Sequence, residues 1–115
     1  MLIGEAPGYR GCALTGIPFT DEIQLKYAEN NYALGDWKRS SKIGNTAERS
    51  ASIIWPAIRE YHIIPLLWNV FPFHPYKEGK RASNRTPTKS ELEEGLKYID
   101  TLKTIFQFND SQVFA

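Results

Sequence analysis

Two short stretches hold the residue types that could do chemistry. They are Gly4-Glu5-Ala6-Pro7-Gly8 and, about 65 residues further on, Leu66-Leu67-Trp68-Asn69. Glycines in the first let a backbone approach a ligand closely. The stretch lacks the Gly-Lys-Ser/Thr of a phosphate loop and the Gly-x-Gly-x-x-Gly spacing of a dinucleotide fingerprint, so it reads as another kind of ligand loop or as a rigid turn. Asn69 is the one polar side chain in the middle of the apolar run from Pro65 to Phe71. A buried amide without partners costs about 1–3 kcal/mol. Asn69 is therefore either held by neighbouring backbone or aimed at a ligand with the complementary donor–acceptor pattern, such as a nucleobase edge. Phe19 ends the Gly-rich loop, either as a core residue or as a platform on which a flat ring stacks.

The charged candidates are Glu5 in the first loop and Glu22 just past Phe19. Each is a possible acid; the plainer readings are a turn residue for Glu5 and a helix-dipole residue for Glu22. A loop from Pro72 to Thr86 carries Lys77, Lys80, Arg81 and Arg85 against Glu78 alone, with Lys89 just beyond. It suits phosphate contacts, or is an ordinary solvated loop. The Trp37-Lys38-Arg39 segment is a weaker basic candidate. His74 reads as a loop residue and His62 as a capping residue. The single Cys12 excludes an internal disulfide and any thiolate cage for zinc or an iron–sulfur cluster built from this chain.

These residues need elements to position them. Leu2-Ile3 is a strand stub that runs into the first loop. Thr20-Asp21-Glu22 reads as a helix start with a capping hydroxyl. A second helix is expected from about Asn45 or Ser52 to Tyr61, with Asn45 and Glu48 at capping-box spacing and Ile54, Ala57, Ile58 and Tyr61 on one face. Pro56 implies a late start or a kink. Pro65 to Phe71 fits a buried central strand. The clearest helix starts near Thr88, where Thr88 and Glu91 form a capping box behind Pro87. Its stripe is Leu92, Leu96, Ile99, Leu102 and Phe106, and Gly95 weakens it by about 1 kcal/mol relative to Ala. Gln112 to Phe114 reads as a third strand beginning. Strand, helix, strand, helix, strand is the grammar of an α/β domain with a parallel sheet, whose ligands bind beyond the carboxyl ends of the strands. Three short strands make a poor sheet, so residues 1–115 are expected to form a single but incomplete domain.

Composition bounds the reading. The 115 residues are 42% apolar and 23% charged with a net charge of +1, ordinary globular values without the excess positive charge of a bulk nucleic-acid binder. The longest apolar run, Ile63 to Phe73, is interrupted by Pro65, Asn69 and Pro72, so no bilayer span is expected. With no signal peptide in view, a soluble, cytoplasmic protein is the expectation.

Taken together, the segments resemble the uracil-DNA glycosylase superfamily. Gly4-Glu5-Ala6-Pro7-Gly8 looks like its first motif in the Ala-containing branches. Thr15-Gly16-Ile17-Pro18-Phe19-Thr20 looks like the end of the same loop, and Leu66-Leu67-Trp68-Asn69 like the strand bearing the base-reading Asn. The resemblance implies a three-layer α/β/α fold around a parallel sheet, a monomer that needs no cofactor or metal, and uracil-containing DNA as its partner. It implies hydrolysis of the N-glycosidic bond of uracil, or a related deaminated base, in base excision repair. Phe19 would stack on the extruded base, Asn69 would pair with its edge, and backbone amides around Glu5 and Ala6 would contact its oxygens.

The sequence departs from the pattern at several points. Ala6 stands where the best-known branches place a water-activating Asp or Asn, which leaves Glu5 and Glu22 as candidates. The closest Gly-Glu-Ala-Pro-Gly branch carries a four-cysteine iron–sulfur cluster that Cys12 alone cannot build. The later His-containing motif is missing, and His74-Pro75 is not it. Gly8 stands where some members put a bulky ring against the thymine methyl, so tight uracil-over-thymine discrimination by that device is not expected. Two other classes remain open: a nucleic-acid-binding relative that keeps the base pocket but lost the acid, and a nucleoside-type small-molecule enzyme on the same sheet.

Overall fold

A computed structural model of the chain describes residues 1–32, 42 and 46–115. The Trp37-Lys38-Arg39 segment and Asn45 lie outside the described residues. Strand β1 (Leu2–Gly4) leads through the glycine loop to a single-turn helix α1 (Cys12–Thr15) and helix α2 (Glu22–Tyr32). Helix α3 (Arg49–Tyr61), strand β2 (Leu67–Asn69) and helix α4 (Lys89–Phe106) follow, with a 3-10 turn at Asp110–Gln112. Among the described residues the arrangement is a small mixed α/β one, with a two-stranded parallel sheet and four helices.

The strands pair Leu2 with Leu67, Ile3 with Trp68 and Gly4 with Asn69. Bonds from Val70 N to Gly4 O (2.8 Å) and from Phe71 N to Glu5 O (3.0 Å) carry the pairing past the strand ends. On the other side of β1, Phe114 forms a parallel bridge with Leu2. The third strand is thus present as one bridge. The central strand is β1, and β2 has a strand partner on one side only among the described residues, contrary to its reading as the central one. Its Leu67 and Trp68 are accordingly half-buried.

Two apolar clusters hold the helices. Ala28, Ala51, Trp55 and Ile58 join α2 to α3, with Tyr27, Tyr32 and Ile54 packed around them. Met1, Ile3 and Ile99 join the sheet to α4, flanked by Trp68, Val70 and Leu102. The buried face of α3 is therefore Ala51–Trp55–Ile58, rotated from the expected one, and Ala57 and Tyr61 are exposed. Trp55 sets this rotation: its ring lies edge-on to Tyr27 and its Nε1 donates to Thr20 Oγ1 at 3.2 Å. Pro56 lies inside α3 on its exposed side.

The cap assignments also shift. Thr20 does not cap α2; its hydroxyl donates to Pro18 O at 3.1 Å while receiving Trp55. Asp21 is the cap, accepting Gln24 N on Oδ1 at 2.9 Å and Leu25 N on its carbonyl. For α4 the Thr88–Glu91 capping box forms as expected. Of its predicted stripe Ile99 is buried and Leu92 and Leu102 are half-buried, whereas Leu96 and Phe106 are each 51% exposed. The helix instead meets the sheet at Gly95, where a Cβ would overlap the Val70 carbonyl. No helix is long and apolar enough to cross a membrane among the described residues.

Candidate base-binding site

Parallel pairing puts Gly4 and Asn69 side by side at the carboxyl ends of β1 and β2. A Cβ on Gly4 would lie 2.5 Å from Asn69 Oδ1 and 2.8 Å from Phe19 Cζ. The absence of a side chain at Gly4 is what lets an aromatic ring and a carboxamide converge over one strand end. Asn69 is only 5% exposed, and its Nδ2 donates to Cys12 Sγ at 3.6 Å. Thiol sulfur is a weak acceptor, so this bond is readily exchanged for a better one. Burial first, and then the charge of Glu48, push the Cys12 thiol up to about 12, against the Asn69 hydrogen bond. Cys12 therefore stays a neutral thiol and is no nucleophile.

Phe19 has φ 57°, the left-handed region that bulky side chains avoid. Such a conformation costs about 1–3 kcal/mol and persists where surrounding bonds over-determine it. Here Thr15 supplies them: its hydroxyl reaches Thr20 O at 2.7 Å, and Ile17 N donates to it at 3.2 Å. The ring is thus held where the loop returns to the sheet. Among the described residues, the Glu5 and Ala6 N–H groups donate to no protein acceptor.

The carboxylates fall out differently. Glu5 is exposed at the loop surface. Glu22 is 1% exposed, and its Oε2 accepts both Thr46 N (3.2 Å) and Thr46 Oγ1 (3.1 Å). Among the described residues these bonds tie α2 to the approach to α3, away from the Gly4–Phe19–Asn69 group. The carboxylate that does reach the glycine loop is Glu48, which sequence reading assigned to a capping box. Its side chain makes no cap bond and lies against Gly8 and Gly11 instead.

The basic loop divides too. Lys77 and Lys80 are exposed on a tight turn closed by a 2.8 Å bond from Lys80 N to Lys77 O, with Gly79 at φ 70°. Arg81 borders a hollow of about 450 Å³ with Pro7, Tyr9, Cys12, Phe73 and His74. The His74 ring latches this loop to the first one, with Nδ1 2.7 Å from Pro7 O and Nε2 3.1 Å from Arg81 O. Arg85 is not a free cation: its guanidinium makes two 2.7 Å bonds to Glu91 and bonds of 3.1 Å to both Tyr76 O and Thr86 O. That argues against its reading as a phosphate contact, because bidentate pairing consumes the fork that a phosphate would need. Arg10 and Arg49, which the charge count of the loop did not single out, border a second hollow of about 500 Å³ with Gly8, Tyr9, Glu48 and Asn84.

Hydrogen bonding from Arg85, then from the Thr88 backbone, holds the Glu91 carboxyl down at about 2, against the usual 4.5. A depressed carboxylate stabilises the fold above its unfolded value, and that contribution is lost as pH falls through the folded one. The Glu91 contribution is therefore complete at neutral pH and fades from about pH 4.5 to about pH 2. Urea unfolding midpoints in that window should fall more steeply for the native chain than for Glu91→Gln; parallel slopes would refute it.

Among the described residues, no group of three or more His, Cys, Asp and Glu side chains is arranged to hold a metal ion. Comparison with protein-family models, with curated proteins and with solved structures finds no match to this chain.

Proposed function

We propose that the chain is a uracil-DNA glycosylase-like domain of three-layer α/β/α type, which extrudes uracil or a related deaminated base from DNA and hydrolyses its N-glycosidic bond. The observation that carries this reading is the convergence of Phe19, Asn69 and Gly4 at the carboxyl ends of two parallel strands. That is where open α/β sheets bind ligands, and an aromatic face beside a carboxamide is what a nucleobase requires.

In this reading the extruded base stacks on Phe19, and the Asn69 amide exchanges Cys12 for the base edge. The Glu5 and Ala6 N–H groups point to the base oxygens, where negative charge gathers as uracil departs. Donors fixed in place before the reaction stabilise that anion without reorganising. Extrusion itself costs a few kcal/mol, least in single strands or mismatches. Arg10, Arg49 and Arg81 flank the glycine loop and suit the phosphates on either side of the base, with Lys77 and Lys80 further out. Since Ala6 offers no side chain to a water, anion stabilisation carries most of the rate.

The test is a labelled strand with one uracil, incubated with the chain and then treated with alkali. Cleavage at the uracil and nowhere else is expected. A strand that is bound but stays intact would instead favour a relative that reads the base without cutting.

A further inference from the structure

Glu48 occupies the N-cap position of α3 yet does not cap it. Its backbone is extended, at φ −123° and ψ 138°. Its N–H donates to Asp21 Oδ2 at 2.8 Å, and its carbonyl accepts Ser52 N at 3.2 Å. The carboxyl turns away from the helix into the turn that Gly8 and Gly11 make. A Cβ on Gly8 would come within 2.6 Å of Oε1, and one on Gly11 would overlap the carboxyl group outright. The two glycines thus leave a slot, and Glu48 fills it. Its Oε2 is sealed there with no hydrogen-bond partner among the described residues. The residue after Gly11 is Cys12, whose sulfur receives Asn69 Nδ2. One side chain therefore touches the loop whose far end sets the amide that reads the base.

We propose that Glu48 is a positioning residue of the base site, a wedge that seats the Gly8–Gly11 turn and Cys12 while it is neutral and withdraws from the slot once it is charged.

A carboxylate with one oxygen, Oε2, sealed from water and left without a hydrogen-bond partner is costly where it is, and moving the charge out to solvent relieves that cost. The surroundings agree in direction. Burial, and more weakly the charge of Asp21, push the Glu48 carboxyl up, while the Cys12 backbone and the Ser50 side chain offset part of this. The other groups that face it are Arg10 and Arg49 at the rim of the hollow and Asn84 from the basic loop. Neither arginine makes an ion pair with it. The inference rests on the base-site reading for its link to Asn69, but not for the wedge itself.

Two readouts on the full chain separate those parts. The first is amide-exchange protection of residues 9–12 without DNA, corrected for intrinsic rate, over a pH range that runs upward from the usual carboxylate value of 4.5. Protection should fall with rising pH in the native chain, stay high in Glu48→Gln and stay low in Glu48→Ala. The second is affinity for a single-uracil strand relative to an abasic-analogue strand at fixed salt. It should weaken about fivefold over the same range, the low end of ordinary coupling between sites, and be flat in both variants. Protection in the native chain that superimposes on Glu48→Gln at every pH would overturn the wedge, whatever becomes of the base reading. Protection that follows Glu48 while relative affinity ignores it would overturn the link to the base and leave the wedge standing.

Discussion

Replacing Asn69 by Ala should slow release of uracil from a single-uracil strand by about 10²–10³-fold, the usual cost of removing one donor aimed at charge that develops in a transition state. The geometry makes this a loss of chemistry rather than of fold. Within the protein, the Asn69 amide has Cys12 Sγ as its recorded partner, at 3.6 Å. A weak thiol contact contributes little, so the variant should unfold within about 1 kcal/mol of the native chain. A site built to hydrogen-bond its ligand discriminates strongly because its polar groups are stranded without it. Single-turnover release of free uracil, measured beside a urea unfolding curve, checks both halves. An excision rate that survives in Asn69→Ala would remove the residue from the reaction.

The second large effect is on stability, at Gly95. By helix propensity alone, Gly95→Ala should gain about 1 kcal/mol. Packing reverses the sign, because the added Cβ would overlap the Val70 carbonyl and press on the Phe71 Cα. The obstacle is backbone, which cannot swing aside as the end of a flexible side chain can. Overpacking of this kind costs about 1–3 kcal/mol and sometimes more, so the variant should unfold at distinctly lower urea. Val70 N is also bonded to Gly4 O at 2.8 Å, directly beside the Asn69 pairing. A shift there displaces the Asn69 amide, so on the proposed reading uracil affinity should fall along with stability. A Gly95→Ala chain more stable than the native one would mean that α4 does not approach the sheet this closely.

What could be read in the sequence was local. The strand stub at Leu2-Ile3, the glycine loop, Asn69 inside an apolar run and the Thr88–Glu91 capping box all announce themselves within a few residues, and each is found in place. The meeting of Gly4 with Asn69 was legible only through the rule that ligands bind beyond parallel strand ends. Other features depend on contacts that no local pattern encodes. Glu48 has capping-box spacing in sequence, but tertiary packing turns its carboxyl into a slot built by residues far upstream. Arg85 counted as one more positive charge until α4 brought Glu91 beside it. Gly95 looks the same in sequence whether it merely weakens a helix or lets it touch a strand. Glu22 does stand in the first turn of α2, as its dipole reading has it, but its burial and its bonds to Thr46 come from chain far downstream.

The claim on which the rest depends is that Phe19 and Asn69 hold a base between them. It is tested most directly by following the Asn69 side-chain amide resonance of the labelled chain during titration with a single-uracil strand. A strand carrying an abasic analogue at that position serves as the reference. The account predicts that the Asn69 Nδ2 hydrogens, and the Phe19 ring with them, shift with the uracil strand and stay in place with the abasic one. Identical shifts with both strands, or an Asn69 resonance unmoved while the strand is bound, would contradict it.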